Sequence, residues 1–594
     1  MEIFVVFGIV FSLAGSLACL LGKRIEEMMP VCLVLMVFPV FVAGLLDNLR
    51  VGVWIVYFLC CCGLIFLVVN VLRMDKNGSL KKFRENIFTP GLAIFLGLLV
   101  LSFFACRNRL FENIDEFNHW GLIIKNMFMY NSFGTNAESV VVYNDYPPFT
   151  ACFQYMFLSV QNVYNEGIII MAQSVLYLLI IMPVTKKLRW NFKGFIKTVL
   201  IIIFLPMIFF KNFYLEILVD GILGVMFAFT MFSCYEENDR NAKYLNILSG
   251  LIMLSLTKTT GLALAILAIL IILVKNIIDR RKEFKPLIVV ILMVAIITSL
   301  WYIKVQKAQK MWDFKELTVS ENNRDEKEIV KFFINSVIKS QVITEKRLTV
   351  VTATMLLAAI SLILGGKIAD KNYRFYTAAM FICVPIYLAG MLMIYLKIFE
   401  PIESMMLACF ERYVSTILLA VAAFLYYVSQ EKVTENIKQN AIIVLAFVAI
   451  LPMTNIEEKY IDNWSCIKKA EITRNTYTKI KKYNNAIEKD DKILYIINVE
   501  ADSTYLKKIN EYEIMPNKIA RIMIGNFKNI EELEKIAQDY DYLYIYRMKE
   551  ETRKCVKEIF ENKRIKNDTL YRIQNNEKNI NLVEVTNKWR KMLQ

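Results

Sequence analysis

One short stretch of this sequence holds two adjacent carboxylates and an imidazole: Asp115-Glu116-Phe117-Asn118-His119-Trp120. If the stretch is helical, Asp115 and His119 share a face at the i, i+4 spacing. His119 is the only histidine in the chain. A zinc-protease helix needs two histidines on one face, so that chemistry is excluded. Paired carboxylates close to an apolar segment are costly to hold there unless they are used or solvated. The bland reading is a solvated polar loop.

Four more polar clusters stand at the ends of apolar runs. Asn144-Asp145-Tyr146-Pro147-Pro148 leads into an aromatic-rich helix whose entry angle the paired prolines fix. Tyr214-Leu215-Glu216-Ile217-Leu218-Val219-Asp220-Gly221 spaces Glu216 and Asp220 at i, i+4, so a helix would point both carboxylates the same way. Lys258 sits in Thr257-Lys258-Thr259-Thr260-Gly261, a tight turn between two apolar runs, and Glu411-Arg412-Tyr413 opens a late one. Taken singly, Lys258 reads as a snorkelling lysine, Arg412 as an interfacial anchor and Asp220 as a bundle-interior polar residue.

The elements that must position these residues are membrane helices. The chain has 594 residues, 56% of them hydrophobic, and its mean hydropathy is positive, which ordinary soluble globular proteins do not show. Runs such as Met1–Leu21, Val51–Leu72, Ile87–Cys106, Leu287–Ile303 and Tyr376–Leu396 suit spans of roughly 20 residues, and about 14 such spans are expected. The net charge of +15 does not point to nucleic acid. Its basic residues fall in short loops (Lys81, Lys82, Arg84; Lys186, Lys187, Arg189, Lys193; Arg280, Arg281, Lys282), the pattern that retains loops on the cytoplasmic side. The 12 cysteines, three of them consecutive at Cys60, Cys61 and Cys62, show no zinc or disulfide spacing.

Placing the basic loops inside puts all five polar clusters on the outer face, with both termini outside. Scattered anchors would fall on both faces; acids and bases converging on one make a site. The expected fold class is an all-α polytopic membrane protein with a small C-terminal extracytoplasmic α/β domain. Residues 1–86 form additional N-terminal spans, and 87–453 a transmembrane core with outer loops 107–166 and 305–347. Residues 454–594 form the C-terminal domain. Phe149–Val160 is expected as a helix along the membrane surface. In the tail, Lys492–Asn498 and Asp541–Tyr546 read as buried strands, and Ile530–Ala537 and Glu551–Glu561 as amphipathic helices. The tail has no glycine-rich phosphate loop, so its expected role is support or acceptor docking.

The order of these motifs resembles that of the GT-C superfamily of integral-membrane glycosyltransferases, of the mannosyltransferase and aminoarabinose transferase type. The matching places are Asp115-Glu116, Tyr146-Pro147-Pro148, Asp220, Lys258-x-x-Gly261 and Arg412-Tyr413, over roughly Ile87 to Pro452. Three extra spans precede the one that carries the acidic loop, where the family commonly has that loop directly after the first span, and two threonines separate the lysine from its glycine. The resemblance implies a polyprenyl-phosphate sugar donor and an extracytoplasmic glycan, lipid or protein acceptor. It also implies Asp115 as general base, with Glu116 sharing that role or orienting the acceptor. Lys258 and Arg412 would bind the leaving phosphate, and His119, Asp145, Tyr146, Glu216, Asp220 and Tyr413 would line the substrate site. Asp220, with His119 or Glu216, could shape the sugar pocket or hold a divalent cation, Mg or Mn, through oxygen ligands.

Two other classes compete. A polysaccharide polymerase or ligase using lipid-linked sugars would lean on arginines in a large outer loop, and 107–166 holds only Arg107 and Arg109. A transporter or flippase would place ionisable residues mid-membrane in inverted repeats, and neither pattern is seen.

Overall fold

The computed structural model describes residues 2–594 except 75–78, 137–138, 140, 142, 237–239, 280–283, 309–324, 367, 369, 433–462, 489–490, 498–502, 525–535, 547–553, 555, 558–564, 576–579 and 586–594. The chain divides into two compact units. The first comprises Met1–Arg109, Ile124–Asn136 and Tyr143–Asn463; the second comprises Leu110–Ile123, Ala137–Val142 and Trp464–Gln594. Part of the expected outer loop 107–166 therefore groups with the tail and part with the apolar helices.

The first unit is helical. Among the described residues, nine helices are long and apolar enough to cross a membrane, from Ile3–Leu21 to Phe410–Glu431, and the chain is a multi-pass membrane protein. The reading of about 14 spans rested on apolar runs of roughly 20 residues. Several runs make shorter helices: Phe192–Met207, Asp220–Tyr235 and Val350–Gly365 have 16 residues each, about 24 Å at 1.5 Å per residue. The expected last span, 441–452, lies outside the described residues.

Burial sorts these helices. Leu49–Arg73 is only 22% buried and leaves Trp54, Phe58, Ile65 and Leu72 exposed, as a lipid-facing helix must. Glu166–Thr185 is fully buried and Phe410–Glu431 is 89% buried, so both sit inside the bundle and are apolar all round. Phe149–Gln161 forms a helix as expected, but not a surface one. Every residue from Phe149 to Leu158 is buried, which leaves no face for an interface. The helix packs on Glu166–Ile181 and Met29–Leu45, and Gln154 donates to Gln173 at 3.1 Å, a polar tie of the kind that joins membrane helices. In the 305–347 region a helix, Glu326–Lys339, is capped by Asp325 accepting from the Glu328 amide. A short hairpin follows it, β1 (Gln341–Ile343) and β2 (Leu348–Thr349).

The second unit holds a five-stranded sheet of β3 (Lys492–Ile497), β4 (Lys518–Ile524), β5 (Tyr542–Tyr546), β6 (Thr569–Asn575) and β7 (Ile580–Glu584). The strand order is β4-β3-β5-β6-β7, parallel across β4, β3 and β5 and antiparallel beyond. The two strands legible in the sequence, β3 and β5, are neighbours inside the sheet. Their side chains alternate between two cores: Leu494, Ile496, Leu543 and Ile545 on one face, and Ile493, Tyr495, Ile497, Tyr542, Tyr544 and Tyr546 on the other. Burial on both faces explains why they read as continuous apolar runs. Ile536 and Ala537 are helical, as are Lys554, Val556 and Lys557; the rest of the two expected tail helices lies outside the described residues.

Candidate functional site

In the first unit, two helices set the geometry. Asp220–Tyr235 and Phe410–Lys432 pack together along their length, because Gly224 lies against the backbone of Thr416. A Cβ on Gly224 would stand 2.5 Å from the Thr416 carbonyl oxygen, so only glycine permits this approach. One turn earlier on each helix stand Asp220 and Arg412. The close crossing therefore fixes the distance between them, and Arg412 Nε lies 3.0 Å from Asp220 Oδ2.

Lys258 reaches the same carboxylate from a third direction, with Nζ 3.0 Å from Asp220 Oδ1. It occupies the N-cap of Thr259–Ile278 in extended conformation. Gly261 lets that helix start against its neighbours, since a Cβ there would stand 2.3 Å from the Leu254 carbonyl oxygen. Tyr413 completes the group, with Lys258 Nζ 5.1 Å and the Arg412 guanidinium 5.5 Å from its ring centre, both within cation–π range. Asp220 is 2% exposed and Lys258 6%. A buried lysine and a partly buried arginine thus share one buried carboxylate.

The turn before Arg412 is constrained. Leu407 and Cys409 both take positive φ, +48° and +60°, which non-glycine residues rarely adopt. The Tyr395 hydroxyl donates to the Ala408 carbonyl at 2.7 Å and holds the turn. On the other side, Phe149 donates its amide to the Leu256 carbonyl at 2.7 Å. That bond brings the Tyr146-Pro147-Pro148 segment alongside Lys258. Tyr146 stacks on Tyr143, with ring centres 5.4 Å apart, and Trp301 Nε1 donates to the Asp145 carbonyl at 2.9 Å. Burial pushes the Asp145 carboxyl above the usual carboxylate range.

Glu216 stands apart from Asp220. The helix begins at Asp220, so the expected i, i+4 relation is not formed. Glu216 lies in the irregular segment before the helix and accepts from Asn212 Nδ2 at 2.7 Å.

Asp115, Glu116 and His119 belong to the second unit. Glu116–Trp120 is a π-helical turn, a form frequent at functional sites. Glu116 is fully buried, and its Oε2 accepts from the amides of Glu112 and Asn113, both at 2.9 Å. Its carboxylate therefore closes a local turn. Asp115 is half-buried, and its amide donates to Asn113 Oδ1 at 3.0 Å. His119 is 5% exposed and meets Trp120 edge-on. Among the described residues, no three of His, Cys, Asp and Glu gather closely enough to hold a metal ion.

Sequence reasoning missed the residues that make the site rigid. Gly224 and Thr416 look ordinary until their partners are known. Tyr387, in the Lys371–Lys397 helix, lies near Asp220 and Tyr413 with the Thr416 hydroxyl as partner; inside an apolar run nothing marks it. A second charged group also escaped. Lys186 pairs with Glu236 and, at 2.9 Å, with Glu431, while Lys187 pairs with Glu431 at 2.7 Å. Glu236 and Glu431 stand at the ends of the same two helices that Asp220 and Arg412 begin.

No family model matches the chain, and no curated protein matches it. Among solved structures, the crystal structure of ArnT from Cupriavidus metallidurans bound to undecaprenyl phosphate is similar at 13% identity and a TM-score of 0.35. The match covers 75% of this chain and 88% of that one.

Proposed function

We propose that this protein is a membrane glycosyltransferase that moves a sugar from a polyprenyl-phosphate-linked donor to an extracytoplasmic glycan, lipid or protein acceptor. The observation that carries this reading is the convergence of Lys258 and Arg412 on the buried Asp220 at the starts of three apolar helices. Such a position suits a ligand whose tail lies among lipid and whose phosphate meets the helix ends. Asp220 holds the two cations at fixed separation, so that both can address one phosphate. Arginine offers a forked contact to phosphate oxygens and lysine a point charge. Tyr146 and Tyr413 flank the cations, and Asp145 and Tyr146 are placed to meet sugar hydroxyls.

In the reaction, the acceptor oxygen attacks the anomeric carbon and the bond from that carbon to the phosphate oxygen breaks. Polyprenyl phosphate leaves with the bonding pair, its charge stabilised by Lys258 and Arg412. The acceptor proton passes to a general base, and Asp115 takes that role. Glu116 is the weaker choice, since two backbone amides already occupy its carboxylate. The motif order resembling the GT-C superfamily supports these assignments, and the basic-loop pattern supports an outer-face site.

The test is transfer of labelled sugar from a panel of polyprenyl-phosphate sugars by the purified protein in detergent, with water or a mixed glycan extract as acceptor. Wild type should transfer or hydrolyse the donor. Asp115→Asn should lose about 100-fold or more in rate while still binding donor. Full activity in Asp115→Asn would remove Asp115 from the mechanism, and no turnover of any donor by wild type would overturn the reading.

A further inference from the structure

Within the second unit, the acidic stretch is held by side chains of the tail. Arg474 lies in the Asn463–Tyr477 helix and is 6% exposed. Its Nη1 donates to Glu513 Oε1 at 2.7 Å and its Nη2 to the Phe111 carbonyl at 2.9 Å. The guanidinium also covers the Phe117 ring at 4.6 Å and approaches the Tyr512 ring at 5.6 Å. Phe117 lies edge-on to Tyr505 and Tyr512, and Phe111 edge-on to Tyr512. Glu513 is anchored in turn, because its Oε2 takes Lys481 at 2.8 Å. Inside the stretch, the Glu116 carboxylate ties the amides of residues 112 and 113. Gly121 lets the π-turn fold over Phe111, whose ring would stand 2.4 Å from a Cβ there.

A buried arginine engaged on one edge by a carboxylate and on the other by a backbone carbonyl is a geometric clamp, because the planar guanidinium fixes both partners at once. Two neighbouring aromatic rings within cation–π range, Phe117 and Tyr512, restrict it further. Its partners Phe111 and Phe117 bracket Asp115 in the sequence. We infer that Arg474 is a positioning residue for the acidic stretch: the tail domain holds Leu110–Ile123 in one arrangement and so fixes the backbone that carries Asp115. This deepens the proposed function and rests on it for the catalytic part; the mechanical part stands on the contacts alone.

The experiment pairs amide hydrogen exchange with transfer kinetics on the full-length protein, for wild type, Arg474→Gln and Arg474→Lys. Lysine can keep a charge pair with Glu513, so the domain retains a partner for that carboxylate, but it cannot also fork to the Phe111 carbonyl. The clamp predicts that the amides of Glu112 and Asn113 exchange about tenfold faster or more in both variants, while those of Tyr495 and Tyr544 in the sheet keep their protection. It predicts a kcat lower by about 100-fold in Arg474→Gln with the donor KM unchanged, since a small misplacement of a catalytic group costs rate rather than binding. Unchanged protection at residues 112 and 113 overturns the proposal, as does lost protection with kcat intact. If wild type transfers nothing from any donor, the transferase reading falls, and the exchange arm alone decides whether Arg474 holds the stretch.

Discussion

The Asp220–Tyr235 and Phe410–Lys432 helices carry a charged cluster at each end, and the two clusters are built differently. Asp220 with Arg412 at one end, and Glu236 with Glu431 around Lys186 at the other, show that the helices run side by side in the same direction. At the Lys186 end, Lys186 and Lys187 meet Glu236 and Glu431, and the four charges sum to zero. At the Asp220 end, one carboxylate meets two cations, with an aromatic ring against both. Such lysine–carboxylate pairs, with Lys186, Glu236 and Glu431 largely shielded and Lys187 partly exposed, pin helices together. The Asp220 end, held rigid by a glycine crossing, is the end to which the proposed function assigns the donor phosphate, while the other end fastens the same two helices.

The sharpest way to break this comparison is Asp220→Ala. It leaves Lys258 and Arg412 without their shared carboxylate, and removing one partner of a buried ion pair costs about 3–5 kcal/mol. A large drop in melting temperature and loss of sugar transfer are expected; a variant as stable as wild type would mean that Asp220 holds nothing in place.

A smaller effect is expected at the other end. Glu431→Gln leaves Lys186 paired with Glu236 and Lys187 largely in solvent, so stability should fall by about 1–2 kcal/mol. Transfer per folded molecule should stay at the wild-type level, and the check is specific activity normalised to monodisperse protein. If that activity fell as steeply as stability, the Lys186 end would belong to the site as well.

The smallest effect concerns Asp145. Burial raises its carboxyl pKa above the usual range, so the folded state holds the proton more tightly than the unfolded chain does. Ionisation therefore penalises the fold above the raised folded-state pKa, and the penalty vanishes below the ordinary value of about 4. Asp145→Asn should raise the melting temperature near neutral pH by on the order of a degree, with the gain disappearing on acidification through that window. A gain that persists at low pH would tie the effect to packing and not to charge.

The positions of the candidate site were readable from the sequence where a polar residue interrupts an apolar run: Asp220, Lys258, Arg412 and Tyr413 each stand out that way, and the structure brings these four together. Gly224 and Thr416, which fix the distance between them, were not readable, because a glycine inside an apolar helix says nothing about which backbone it admits. Lys186, Glu236 and Glu431 were hidden for another reason. A charge at the end of a span reads as a topology signal, and pairing across 50 residues or more has no local signature. Membrane class followed from composition, while the span count was less accessible: apolar runs measure hydrophobic length, and helices of 16 residues fall short of the roughly 30 Å hydrocarbon thickness that defines a span. Strands β3 and β5 were legible because both of their faces are apolar. The Phe149–Gln161 helix was misplaced because a mixed aromatic composition fits a buried helix as well as an interfacial one. The grouping of Leu110–Ile123 with the tail joins segments such as Phe111 and Arg474, 363 residues apart in the chain, and no spacing announces it.

The most direct test of the Asp220 end is binding of polyprenyl phosphate, without a sugar, to wild type, Lys258→Met and Glu431→Gln in the same detergent. Lys258→Met should bind about tenfold more weakly or worse, as expected for loss of a charge-assisted contact, and Glu431→Gln should bind like wild type. Equal binding by all three proteins, or weakening confined to Glu431→Gln, would contradict the assignment of the Asp220 end as the phosphate site.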